Sequence, residues 1–245
     1  MKNFIINEQN AKDHAMKIAA WIKEKVHGKG VVLGMSGGID CCVAARLCQM
    51  AQVDVHLILM PYGSDTQGIS HSIELIEKFN FRYHIFNIKP AVDALAITDS
   101  PPHCKGNAGL SRANIRPRVR MTYLYQFAQL HDRLVMGTGN LSERTAGYFT
   151  KWGDGASDIN PLGMQLKQEV YALARVLEIP ESIICKKPSA DLWEGQTDEE
   201  ELGMTYAQID AYIIAGTSGN HETDRKIEDR IYSTAHKHAP IPVFE

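Results

Sequence analysis

Hydrophobic positions follow two alternating periods through the first half of the chain. Ala11, Ala15, Ile18, Ala19, Ile22 and Val26 recur at helical spacing over about residues 8–27. A short β-branched run, VVLGM at 31–35, then predicts a buried strand. CCVAARLCQMA (41–51) reads as a helix of small residues, and VDVHLILMP (53–61) as a strand stopped by Pro61. Ile69, Ile73, Leu75, Ile76 and Phe79 predict a helix over about 68–80, and RYHIFNI (82–88) alternates as a strand does. Met121, Leu124, Tyr125, Phe127 and Ala128 mark another helix before a fourth strand, RLVMGT (133–138).

This alternation predicts an α/β fold, a doubly wound and mostly parallel sheet covered by helices on both faces, with right-handed crossovers. Ligands of such sheets sit beyond the carboxyl ends of the strands. Two such ends stand out, SGGID after the first strand and GTGNLSE after the fourth. Residues 99–114, with SPPHCKGNAG, read as a loop, and 150–165 as irregular. A helix is predicted around Lys167–Leu177. The acidic, polar stretch after Pro188 through Glu201 reads as mobile, and TYAQIDAYIIAG and DRKIEDRIYSTAHKH read as closing helices. No internal repeat or linker is visible, so a single domain over 1–245 is expected.

Composition narrows the function classes. The 245 residues are 44% hydrophobic and 22% charged, ordinary for a globular protein. A formal net charge of −3 argues against a generally cationic nucleic-acid binder. No apolar run approaches the ~18 residues of a membrane helix, and MKNFIINEQN has no leader pattern. Cys41, Cys42, Cys48, Cys104 and Cys185 are odd in number and lack CxxC spacing. A disulfide framework or zinc ribbon is therefore not expected, and a reduced, cytoplasmic setting fits.

GMSGGID (34–40) follows a strand and opens a helix. Its glycines let backbone amides approach an anion at a helix N-terminus. Ser36 adds a hydroxyl, and Asp40 a carboxylate of the kind that binds magnesium beside phosphates. There is no GxxxxGK[ST], so this is not the common P-loop. The plainer alternative is a tight turn with a helix cap. Arg112, Arg116, Arg118 and Arg120 fall within nine residues without an acidic neighbour, a local anion site or a solvated helix face.

The loop resembles the SGGxDS signature of the ATP-pyrophosphatase (PP-loop) family, whose fold is adenine nucleotide alpha hydrolase-like. NIRPRVRM (114–121), GTGNLSE (137–143), GYFTKWGDGASDINPL (147–162), KKPSADLWEGQTDEEELGMTYAQID (186–210) and TAHKHAPIPVF (234–244) follow in order. Together they resemble the ammonia-dependent NAD synthetases over nearly the whole chain. The resemblance implies ATP binding by Gly34, Met35, Ser36, Gly37, Gly38, Ile39, Asp40 and Cys41, with further contacts from Thr138, Lys167 and Ser189. It implies a magnesium ion on Asp40 and Glu143, with these two and Lys167 at the chemical centre. Arg118, Lys151, Asp158, His236 and Lys237 match positions that bind the dinucleotide. The implied reaction adenylates the carboxylate of deamido-NAD and lets ammonia displace AMP. A homodimer is implied too, with neither nucleic acid nor membrane as partner and no glutaminase domain within these residues. Other adenylating PP-loop enzymes, such as tRNA-thiolating types, and a non-catalytic nucleotide-binding homologue are the alternatives.

Two departures from the pattern stand out. Cys41 replaces the serine that closes the loop, and a thiol is a weaker donor than a hydroxyl. Pro117 replaces the alanine before the substrate-matching arginine, which predicts that the helix starts or kinks near Pro117.

Overall fold

Residues 5–63, 67–96, 108–189 and 197–244 are described in a computed structural model of the chain. The first layer of elements runs α1 (Ala11–Lys25), β1 (Gly30–Gly34), α2 (Ile39–Met50), β2 (Val55–Leu59), α3 (Gln67–Phe79) and β3 (Arg82–Ile85). Next come α4 (Lys89–Leu95), α5 (Ala108–Ala113), α6 (Ile115–Leu130), β4 (Arg133–Met136) and α7 (Leu141–Thr145). The chain closes with α8 (Lys167–Val176), α9 (Glu181–Ile184), α10 (Asp198–Leu202), α11 (Tyr206–Ala215) and α12 (His221–Thr234), followed by a 3-10 turn at Ala235–Lys237.

The four strands form one parallel sheet in the order β3-β2-β1-β4. Val31, Val32 and Leu33 of β1 are fully buried, because β1 is central and helices cover both its faces. Helices α1, α2, α3 and α8 pack on one face around Ile22, Leu47, Leu75 and Leu173. Helices α4 and α6 cover the other around Val92, Val119 and Phe127. Each such leucine or isoleucine removed from water contributes about 1.5–3 kcal/mol. A third, smaller core joins α7, α10, α11 and α12 through Ala146, Leu202, Ile209 and Ile227.

The chain winds outward from β1 to β3 and then returns to place β4 beside β1. The strand order therefore reverses between β1 and β4, and a crevice opens at their carboxyl ends. No helix among the described residues is long and apolar enough to cross a membrane.

Three sequence expectations are modified. The strand at 82–88 is shorter, and every residue of β3 is exposed, because an edge strand has one neighbour and little cover. The loop expected at 99–114 is helical from Ala108 on, and the acidic stretch through Glu201 is helical from Asp198, stopped by left-handed Gly203 (φ 67°). Residues 99–107, Cys104 and residues 190–196 lie outside the described residues. The expectation at Pro117 holds in its first form. The helix breaks at Asn114 and restarts at Ile115, so Pro117 occupies the first turn, where a missing N–H costs no intrahelical bond.

Candidate active site

The first rim of the crevice is the turn between β1 and α2. Gly37 takes φ 75°, and a Cβ there would lie 2.5 Å from the carbonyl oxygen of Gly68, so both conformation and space demand glycine. The turn lifts the amides at the start of α2 toward the crevice. The Gly38 N–H donates to Ser36 Oγ (3.3 Å), and the Cys41 thiol donates to the Gly38 carbonyl (3.1 Å) with Ser36 Oγ 3.4 Å away. Hydrogen bonding from Cys42, helped by Ser36, outweighs burial and pulls the Cys41 thiol down to about 6.

The second rim follows β4. Asn140 is wholly buried and caps α7: its Oδ1 accepts from the Glu143 N–H (2.9 Å), while Glu143 Oε2 accepts from the Asn140 N–H (3.1 Å). The same asparagine donates from Nδ2 to Asp40 Oδ1 (2.8 Å), tying the two rims together. Lys167, 3% exposed, is the first residue of α8 and bridges them directly. Its Nζ lies 2.7 Å from Asp40 Oδ2 and 3.0 Å from Glu143 Oε1.

A cation at a helix N-terminus opposes the helix dipole, so Lys167 must be held there by other forces. The start of α8 is fixed by side chains: the Lys167 N–H donates to Ser142 Oγ (2.9 Å), the Gln168 N–H to Asp210 Oδ2 (3.0 Å) and the Leu166 N–H to Glu169 Oε2 (2.7 Å). Burial alone would lower the Lys167 ammonium, but Asp40 and Glu143 outweigh it and hold it above the ordinary lysine value. Burial, then repulsion from Asp40, raises Glu143 to about 7. One ammonium thus faces two carboxylates, and the cluster has a surplus negative charge.

That surplus makes the pair a fitting seat for a hard divalent cation. Among the described residues no three His, Cys, Asp or Glu side chains converge, so an ion on these two carboxylates would complete its shell with water and phosphate oxygens. Magnesium is commonly bound this way.

Both rims open into one cavity of about 620 Å³. Of the sequence-matched residues, Gly34, Met35, Ser36, Gly38, Ile39, Asp40, Cys41, Thr138, Glu143, Lys167 and Ser189 line it, as do Arg118, Lys151, His236 and Lys237. Gly37 shapes the turn without lining the cavity. Asp158 does not line it either. Its Oδ2 accepts from the Val135 N–H (2.8 Å) and its Oδ1 from the Tyr125 hydroxyl (3.3 Å), which engages the carboxylate beside β4. The arginine cluster divides: Arg118 and Arg120 reach the cavity, while Arg116 stacks on the Tyr62 ring at 3.9 Å.

The tail closes over the far wall. Lys151 Nζ donates to the His236 carbonyl (2.5 Å), and Lys237 Nζ to the carbonyls of Gly147 (2.6 Å) and Phe149 (2.7 Å). The structure adds Asn140, Ser142 and Asp210 to the residues found by sequence. Asn140 was legible, since N-L-S-E is a capping-box spacing. Ser142 and Asp210 meet only through the tertiary fold.

A glycine turn at the switch point of a doubly wound parallel sheet, faced by a buried Asp–Lys–Glu bridge, places the chain in the PP-loop class of α/β folds. A sequence profile of the NAD synthase family matches residues 14–240, and the chain belongs to that family. It is 42% identical over 229 residues to the NH(3)-dependent NAD(+) synthetase of Syntrophomonas wolfei, covering 91% of this chain and 92% of that protein. Among solved structures it is similar to an NMN synthetase from Francisella tularensis, with a TM-score of 0.87 and 35% identity over 96% of this chain and 99% of the other. It is also similar to an NH3-dependent NAD synthetase from Campylobacter jejuni in complex with the nitrate ion, with a TM-score of 0.79 and 29% identity over 98% of this chain and all of the other.

Proposed function

We propose that the protein is a ligase that amidates deamido-NAD with ammonia at the expense of ATP, forming NAD, AMP and pyrophosphate. The observation that carries this reading is the Lys167 bridge between Asp40 and Glu143, set in the same cavity as Arg118, Lys151, His236 and Lys237. One end of that cavity suits a triphosphate and the other an anionic dinucleotide.

In this reading the amides of the Gly34–Cys41 turn hold the ATP phosphates, with Thr138 and Ser189 as further polar contacts. Lys167 supplies a mobile point charge to phosphate oxygens. Asp40 and Glu143 would hold magnesium, which when bound neutralises charge gathering on pyrophosphate. Arg118 and Lys151 orient the substrate so that its nicotinate carboxylate faces the α-phosphorus, and His236 and Lys237 close the tail over it. Attack there expels pyrophosphate and leaves an acyl-adenylate. Ammonia then forms the C–N bond as the bond to AMP breaks. Positioning and charge neutralisation suffice, and no nucleophilic side chain is needed. Asp158, engaged by Val135 and Tyr125, acts from beside the strand. In this reading the protein works as a cytoplasmic homodimer that takes free ammonia, with one synthetase domain over residues 1–245.

The higher structural similarity to the NMN synthetase than to the NAD synthetase supports a second reading. The amidated carboxylate then belongs to the pyridine mononucleotide, and the adenylate half is not required. Purified protein with ATP, magnesium and ammonium, given deamido-NAD or nicotinate mononucleotide, decides between them by kcat/KM. Production of AMP together with the amide is the expected result. ATP binding without AMP under either condition would leave only a nucleotide-binding protein.

A further inference from the structure

Asp198 opens α10 and is 4% exposed, yet it lines the active-site cavity beside Tyr148, Lys167 and Glu201. Its Oδ2 accepts a hydrogen bond from the Tyr206 hydroxyl (2.9 Å). Its Oδ1 is buried and has no partner among the described residues. A buried carboxylate oxygen without a donor is costly to keep, so this atom is an acceptor suited to a donating ligand.

The surroundings specify that guest. The Tyr148 hydroxyl lies within hydrogen-bonding reach of the Asp198 carboxylate and donates to Glu201 Oε2 (2.9 Å), and a phenol oxygen can accept as well as donate. The Tyr206 ring underlies Lys167 Nζ at 4.9 Å, so the orphaned oxygen stands one phenol away from the Asp40–Lys167–Glu143 bridge. Acceptors, aromatic rings and surplus negative charge suit a small cation that donates several hydrogen bonds.

We propose that Asp198, with the hydroxyls of Tyr148 and Tyr206, forms the pocket that captures ammonium for the amidation. The inference rests on the amidation reading above and assigns its nitrogen site. Ammonium has no lone pair, so one proton passes along the N–H···Oδ1 hydrogen bond to Asp198. The freed lone pair then forms the C–N bond while the C–O bond to AMP breaks, and the second proton departs to water.

The test is Asp198→Asn, which keeps the shape and removes the charge. The KM for ammonium is expected to rise at least fivefold, with the KM values for ATP and pyridine nucleotide changed less than threefold. Turnover with hydroxylamine, uncharged at pH 8, is expected to stay within threefold of wild type. An ammonium KM raised less than fivefold, or a parallel loss with both amines, overturns the pocket. If Asp198→Asn does not fold, Tyr206→Phe decides, since it releases Oδ2 while keeping the ring. A selective ammonium KM rise of at least threefold supports the pocket, and no selective change overturns it. A wild-type protein that makes no AMP with either amine overturns the amidation reading itself, a result distinct from a failure confined to Asp198.

Discussion

Lys167→Met tests the bridge most directly. The substitution keeps most of the unbranched side chain and deletes its charge, so Asp40 and Glu143 lose the ammonium that sits 2.7 and 3.0 Å from them. Breaking a buried ion pair by removing one partner costs about 3–5 kcal/mol. Both carboxylates keep 16% exposure, which places the cost toward the lower end, about 3 kcal/mol at pH 8. In a chain of this size that lowers Tm by roughly 6–12 °C.

The pH dependence follows from Glu143. Its folded-state pKa is already raised to about 7 by burial and by Asp40, and loss of the lysine moves it further upward. A carboxyl with a raised folded value binds more protons in the native than in the unfolded state between the two values. Stability therefore falls as pH climbs through that window. The Tm deficit of Lys167→Met is expected at pH 8 and should shrink to half or less at pH 5.5, where Glu143 is protonated. Thermal unfolding monitored by circular dichroism at both pH values measures it. Equal deficits at the two pH values, or none at either, would refute the electrostatic account of the bridge.

Glu143→Gln removes the destabilising charge while keeping an oxygen for the cap. A shift from 4.5 to about 7 corresponds to about 3 kcal/mol, so the nucleotide-free variant is expected to unfold at higher temperature than wild type at pH 8. The two should converge near pH 4.5, and AMP formation should fall at least a hundredfold in the variant. Cys41, with its thiol lowered to about 6, should react with iodoacetamide faster at pH 7.5 than at pH 5, with ATP protecting it. Mass spectrometry with parallel activity assays reads this, and full alkylation with unchanged activity would remove Cys41 from the site. Cys41→Ser should lower the KM for ATP severalfold, since one neutral hydrogen bond is worth about 0.5–1.5 kcal/mol. Gly147→Ala should cost about 2 kcal/mol or more and raise the KM for the pyridine nucleotide, because φ is 62° there and the new methyl would strike Thr234 of α12. Chemical denaturation checks the first effect and steady-state kinetics the second.

What could be read in advance divides along a physical line. VVLGM and the turn in GMSGGID were legible because a buried central strand and a glycine turn opening a helix are each specified by residues adjacent in sequence. The edge strand at 82–85 was overextended because alternation at 82–88 does not say whether a strand has one neighbour or two. The proximity of Asp40 to Glu143 followed from topology, since both leave the strands that flank the switch point. Lys167 was matched as a phosphate contact, but its role in bridging the carboxylates was not visible. Its place depends on Ser142 and Asp210, which lie 25 and 43 positions away and meet at the start of α8. Asp198 fell within a stretch that its composition marks as acidic and polar. Its burial arises from packing against Tyr206, with an α11 capping box over Thr205–Gln208 setting where that tyrosine begins the helix. A charge far from its partners in sequence meets them only when the packed helices carry it to the strand tips, α8 for Lys167 and α10 for Asp198. Lys167 and Asp198, which depend on tertiary packing, are therefore the parts of the candidate site least readable from local pattern, whereas the turn at 34–40 is written in adjacent residues.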